Sequence, residues 1–242
     1  FSVTSDVANQ YTYITETIPA GWNHAVVQWN SSTTKWDIYI NGQAKSTSTF
    51  GTNEQGKLLL KFGNRSSYYF DGKLDQVRVF NRSLSSSEVS TLYNETSSTV
   101  NTLQILGDTS CIATYTFEGN AQDLSGNYYH GSASNIIYDY SGTASNVTYT
   151  TGKFDKAAEF NGSSSFINIE NMSTVLANDF TVSFWVKTPS SFPSSGYPTF
   201  LSLYGYPGSG SAYGWSVEIS AAGASSKIMF YWVSSSGVGN YL

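Results

Sequence analysis

The sequence predicts an all-β protein, an antiparallel sandwich of many short strands, and three observations carry that expectation. Apolar and polar residues alternate with a period of two in almost every ordered-looking stretch, and these stretches are rich in Val, Ile, Tyr, Phe, Trp and Thr. Turn dipeptides separate them: Asn41-Gly42, Asp71-Gly72, Ser125-Gly126, Asn161-Gly162 and Ser236-Gly237. A helical pattern, by contrast, occurs once. Short alternating strands with regular turn signals belong to sandwiches and barrels.

Taken in order, HAVVQWN at 24–30 and WDIYING at 36–42 are strands, and Asn41-Gly42 is the strongest kind of two-residue hairpin signal. QVRVFN at 76–81 alternates again. SLSSSEVSTLYNE at 83–95 is the one helix, with Ser85 as its cap, Glu88 three residues on in capping-box position, and Val89, Leu92 and Tyr93 on one face. A Ser- and Thr-rich linker with a short apolar turn spans 97–110. SFINIEN at 165–171 and FTVSFWVKT at 180–188 are further strands. GSASNI at 131–136 and GTASNV at 142–147 form a small local echo.

Of the 242 residues 40% are apolar and 16% aromatic, enough for a sizeable core, while only 12% are charged. Ser, Thr, Asn, Gly and Tyr therefore meet the solvent. A net charge of −5 without a basic cluster argues against nucleic acid as a partner. No stretch approaches the roughly 20 apolar residues of a membrane-spanning helix. Cys111 is the single cysteine, so there is no intrachain disulfide, and within CIATYTF it is expected to be a small buried apolar side chain.

GWNHAVVQWNSSTTKWDIYINGQ at 21–43 and FDGKLDQVRVFNRSLSSSEV at 70–89 resemble the closing segments of a laminin-G-like, concanavalin A-type jelly-roll sandwich. YTFEGNAQDLSGNYYHG at 115–131, GKFDKAAEFNGSSSFINI at 152–169 and DFTVSFWVKT at 179–188 resemble its opening segments. The order is inverted, so residues 1–96 read as the back half of such a domain and 111–242 as the front half. The two ends echo each other as well. FSVTSDVANQY at 1–11 aligns with YWVSSSGVGNY at 231–241, Val3 with Val233, Ser5 with Ser235 and Tyr11 with Tyr241. Three arrangements satisfy this pattern: a window on a tandem array, with 111–242 opening the next module; a permuted sandwich in which 111–242 partners 1–96; and exchange of halves between neighbouring copies. The window is the favoured one, because half a sandwich alone exposes strand edges and a core face.

The chain is expected to be non-enzymatic. The two histidines, His24 and His130, accompany no nucleophile motif, and no strand carries acids two apart as a glycosidase on this sandwich would need. The resemblance implies a structural calcium where the EGNAQDLSGN loop meets the closing segment, with Asp75, Glu118, Asp123 and Asn127 as ligands. Asx-turns are the alternative use of Asp123 and Asn127. Sugar recognition needs aromatic faces and amide or hydroxyl partners. Tyr68, Tyr69, Tyr128 and Tyr129 are loop aromatics, and LYGYPGSGSAYGW gathers the best candidates, Tyr204, Tyr206, Tyr213 and Trp215. Sequons stand at Asn30, Asn64, Asn81, Asn94, Asn146, Asn161 and Asn171. The resulting expectation is an extracellular, cell-surface or virion module for adhesion or carbohydrate binding. It forms part of a larger chain or homo-oligomeric assembly, with cell-surface glycans or neighbouring copies as partners. The alternatives are a structural module of a virus particle or filament, and an accessory domain of a polysaccharide-degrading enzyme.

Overall fold

The computed structural model describes residues 2–5, 10–13, 19–49, 60–98, 105–129, 131–132, 146–169, 172, 175–189, 196–205, 213–220, 227–233 and 239–241. Among them nineteen strands and one helix follow in chain order: β1 (Ser2–Ser5), β2 (Gln10–Tyr13), β3 (Gly21–Asn30), β4 (Lys35–Ile40), β5 (Gln43–Thr49), β6 (Leu60–Phe62), β7 (Asn64–Arg65), β8 (Tyr68–Tyr69), β9 (Asp71–Phe80), α1 (Ser86–Tyr93), β10 (Cys111–Tyr115), β11 (Gly131–Ser132), β12 (Thr148–Thr151), β13 (Lys156–Asn161), β14 (Ile167–Ile169), β15 (Phe180–Thr188), β16 (Thr199–Gly205), β17 (Tyr213–Ser220), β18 (Lys227–Val233) and β19 (Gly239–Tyr241). Their hydrogen bonds make one sheet in the order β1-β2-β19-β18-β17-β16-β6-β14-β11. A second runs β12-β13-β9-β15-β3-β4-β5, with β10 added on β9, and β7-β8 is a separate two-stranded hairpin.

Strands from the two halves of the chain interleave in both sheets. β15 pairs with β3 along its whole length, from Phe180 opposite Trp29 to Thr188 opposite Gly21, and on its other edge with β9. β6 lies between β14 and β16. The inner faces meet in one core that draws Val27, Trp36, Phe62 and Leu74 from residues 1–96 and Phe160, Phe184, Trp215 and Phe230 from 111–242. Burial on both edges and both faces explains why FTVSFWVKT is buried at every position except Lys187. Trp36 sits at the centre of this core, its ring 4.4 Å from Phe230, 5.1 Å from Trp29 and 5.6 Å from Phe180.

The Asn41-Gly42 turn joins β4 to β5 with both residues at positive φ, the two-residue hairpin geometry that its sequence specifies. Asn41 also docks on β3: its side-chain oxygen accepts from the His24 backbone N–H and its amide donates to Asn23. His24 is a core histidine. Its Nε2 pairs with Ser183 Oγ at 2.8 Å, Trp185 and Tyr93 flank its ring, and burial pushes its pKa down to about 3. His130 lies outside the described residues.

Helix α1 starts where the capping box places it. Ser85 Oγ accepts from Glu88 N while the Glu88 carboxylate accepts from Ser85 N. Its buried residues Val89 and Leu92 join Val26, Tyr39, Phe80 and Leu84 in a second apolar cluster on the outer face of the β3–β9 sheet. Ile105 and Cys111 complete that cluster, so the apolar turn of the 97–110 stretch is a strap seated on the sheet. Burial there pushes the Cys111 thiol up to about 12, the inert state expected for it. Arg78 donates to Glu95 at 2.6 Å and Gln76 to Ser98, which tie the start of the strap to β9.

Truncating the central ring should be the most damaging core change. Trp36→Ala is expected to cost about 3–5 kcal/mol in denaturant unfolding, by lost transfer energy plus the cavity left behind. Ser85→Ala, which removes only a helix cap, is expected to cost about 1 kcal/mol.

Candidate functional site

The outer face of the nine-stranded sheet carries the densest polar and aromatic cluster among the described residues. Cross-strand register lines up Asn168, Lys61, Ser202, Ser216 and Tyr231 in one row across β14, β6, β16, β17 and β18. Their neighbours along each strand, such as Ile167, Phe62, Leu201, Trp215 and Phe230, point into the core. The β7–β8 hairpin folds over this row. Ser202 Oγ donates to the Asn64 carbonyl at 2.7 Å, and Gly63 N donates to the Phe200 carbonyl at 2.8 Å. Gly63 turns at φ +81, and a Cβ there would lie 2.2 Å from the Phe160 ring, so only glycine lets the chain pass from β6 into the hairpin.

The hairpin delivers Arg65 to the sheet. Its Nε donates to Glu218 Oε2 at 2.8 Å, and its guanidinium carbon lies 4.6 Å from the centre of the Tyr231 ring, 5.1 Å from Tyr204 and 5.2 Å from Tyr68. Tyr197 meets Tyr68 edge-on at 5.4 Å. Three ring faces around one cation form a cation–π box. Glu218 also accepts from Ser216 and, at 3.4 Å, from Thr199. Its other oxygen, Oε1, is buried with no hydrogen-bond partner among the described residues. Burial pushes the Glu218 carboxyl up to about 7, against the opposing pull of Arg65. Burial likewise lowers the Lys61 pKa.

Of the expected sugar-binding residues, Tyr204 is half-buried and forms one wall of this box. Trp215 is corrected to a core residue. It is wholly buried on the inner side of β17, against Phe180 and Phe230, because Ser216 and Glu218 take the outward positions. Tyr206 and the side chain of Tyr213 lie outside the described residues. Gly214, next to Tyr213, cannot be replaced without strain: its φ is +118 and a Cβ would sit 1.9 Å from the Leu203 carbonyl oxygen. Arg65, Tyr231 and Tyr197 escaped sequence reasoning. Arg65 and Glu218 are 153 positions apart, and the only local sign was a basic residue just before the Tyr68-Tyr69 pair.

The four residues expected to hold calcium are engaged otherwise. Asp123 Oδ1 accepts from Thr114 N and Ser125 N, and Oδ2 from Ser125 Oγ and Tyr129 N. The carboxylate thus staples its own loop. The Asn127 amide donates to the Ile112 carbonyl. Asp75 sits at a bulge in β9 where Gln76 has φ +46. Its Oδ1 accepts from Gln76 N, and its Oδ2 from Lys153 N and Phe154 N of the GKFDK turn. Glu118 holds the same turn through Lys156 N. The carboxylate oxygens of Asp75 and Asp123, already filled by N–H and O–H donors, do not fit a calcium cage, which needs six to eight oxygen ligands turned to one point. No group of three or more His, Cys, Asp or Glu among the described residues converges on such a point. Burial pushes the Asp75 carboxyl up to about 7.

Residues 1–90 match a laminin-G-type family model described as the concanavalin A-like lectin/glucanases superfamily. No curated protein and no solved structure is matched at a significant level. Among the described residues no helix is long and apolar enough to cross a membrane.

Two outcomes follow from this geometry. Asp75 and Glu218 bind protons in the folded chain that the unfolded chain has released, since both rise from ordinary carboxyl values to about 7. Their contribution is full below the unfolded value and lost as pH rises through about 7. The thermal midpoint should fall between pH 5 and pH 8, and Glu218→Gln should flatten that slope. Chelation by EDTA should leave the midpoint unchanged; a drop would show that these carboxylates exchange their N–H donors for a cation. The antiparallel sandwich is consistent with the concanavalin A-like fold of the family model that residues 1–90 match.

Proposed function

We propose that the chain is a non-catalytic, extracellular adhesion module that binds carbohydrate on the outer face of its nine-stranded sheet. One observation carries the reading: the Tyr68, Tyr204 and Tyr231 rings gathered around Arg65. Sugars present apolar C–H faces flanked by hydroxyls, and partly exposed tyrosines offer both a ring face and a hydroxyl. Tyr68 and Tyr204 are half-buried, so each is fixed in place yet keeps some surface for a ligand. Low charge and abundant hydroxyl-bearing residues fit a surface that meets polyols and water.

The carboxylates support the non-catalytic part. Asp75 is fully buried and held by three backbone N–H groups, and Glu218 is fully buried against Arg65, so neither is placed to meet a glycosidic oxygen. The test is a glycan-array screen of the chain followed by titration of any hit. Tyr204→Ala and Tyr68→Ala are each expected to weaken binding about tenfold or more while leaving the thermal midpoint close to that of the parent. A folded chain that binds no glycan would sink the adhesion reading and favour a structural module of a particle or filament.

A further inference from the structure

The edge of β18 is shared end to end by two segments from opposite ends of the sequence. β19 pairs with its last residues, Tyr231 opposite Tyr241, Trp232 opposite Asn240 and Val233 opposite Gly239. β2 pairs with the part just before, Phe230 opposite Thr12 and Met229 opposite Tyr13. Both segments run antiparallel to β18, and β2 and β19 meet at Gln10 and Asn240.

The sequence echo gives this arrangement a meaning. It equates Gln10 with Asn240 and Tyr11 with Tyr241, so Thr12 and Tyr13 are the residues that follow on from the Tyr241 position. A strand that continues beyond Tyr241 in the register of β19 would next face Phe230 and then Met229. Those are the two residues that Thr12 and Tyr13 face. β2 therefore occupies the place that the echo assigns to the extension of β19, without a shift of register. A one-residue slip would reverse every side chain between the two faces of the sheet, so agreement in register is a specific coincidence.

We infer that the β18 edge is a docking site for the β1–β2 segment of a second copy of this sequence, with strand exchange linking copies head to tail. The bonds that β2 makes to β18 are the same whether the segment comes from the same chain or another, which is the condition for low-cost exchange. β2 supplies main-chain hydrogen bonds to an edge strand, as in strand addition generally. The donor segment and the acceptor edge are different surfaces, so the contact is heterologous: reciprocal exchange closes a dimer, and serial exchange yields a linear array. This inference is independent of the sugar-binding reading.

Paired cysteines in the full-length chain test it. In a Cys111→Ser background, one chain carries Tyr13→Cys and another Met229→Cys, positions directly opposite in an antiparallel ladder and within disulfide reach. Mixed under oxidising conditions, they are expected to form a disulfide-linked heterodimer whose yield rises with protein concentration. The doubly substituted chain should give a crosslinked monomer when dilute and a ladder of oligomers when concentrated. Crosslinking confined to the monomer at every concentration overturns the inference, as does no crosslinking at all. Light scattering on the unaltered chain guards against damage by the substitutions: mass growing in steps of one chain supports exchange, and a single-chain mass throughout overturns it.

Discussion

The fold depends on one strand having both edges occupied. β15 carries nine residues of the second half of the chain into a slot between β3 and β9, both from the first half. It pairs with β3 along its whole length and with β9 on both sides of a bulge at Phe184, and its inner face supplies Val182, Phe184 and Val186 to the core. Without β15, β3 and β9 would each present an open edge, and Val27, Leu74 and Val79 would lose the wall they pack against. β6 makes the reciprocal insertion in the other sheet, between β14 and β16. Neither half has a closed core by itself, and their interleaving is what converts two sets of edges into one sandwich.

A chain with so few charges places them where they fasten covers onto the outer faces of the sheets. Arg78 and Glu95 clamp the strap that follows α1, with side chains only 2% and 12% exposed. Arg65 and Glu218 clamp the β7–β8 hairpin onto the other sheet, with side chains 9% and 0% exposed. Breaking such a buried pair by removing one partner leaves an uncompensated charge, which costs far more than the pair itself contributes. The half-buried cluster of Arg82 with Glu88 and Asp108 is a different case, since solvent reaches and screens it and its value is local, at the start of α1. The same Arg65 that fastens the hairpin also organises the tyrosine box, so the structural clamp and the candidate ligand face share one residue.

The two faces of a single strand explain what was legible at the site and what was not. Tyr204 and Trp215 come from one Gly- and Pro-rich stretch and looked equivalent as loop aromatics. Tyr204 reaches the box, whereas β17 starts at Tyr213, and its alternation sends Trp215 into the core. The acidic EGNAQDLSGN loop was legible as a loop that needs its carboxylate. That the partners are backbone N–H groups rather than a cation depends on where Thr114, Ser125 and Tyr129 lie in space.

Local rules determined the hairpin at Asn41-Gly42, the capping box of α1, the burial of Cys111 and the all-β class, because each rests on residues a few positions apart whose backbone preferences act before any tertiary contact forms. Only the tertiary structure decided that strands from residues 1–96 and 111–242 interleave in both sheets, that Arg65 finds Glu218, Tyr204 and Tyr231, and that β2 falls into the register of β19. The pairings of β15 with β3, Arg65 with Glu218 and β2 with β18 all join segments more than 150 positions apart. Sheet hydrogen bonds carry no sequence code of their own, so such pairings are selected by burial of faces and edges over the whole molecule and not by any local pattern.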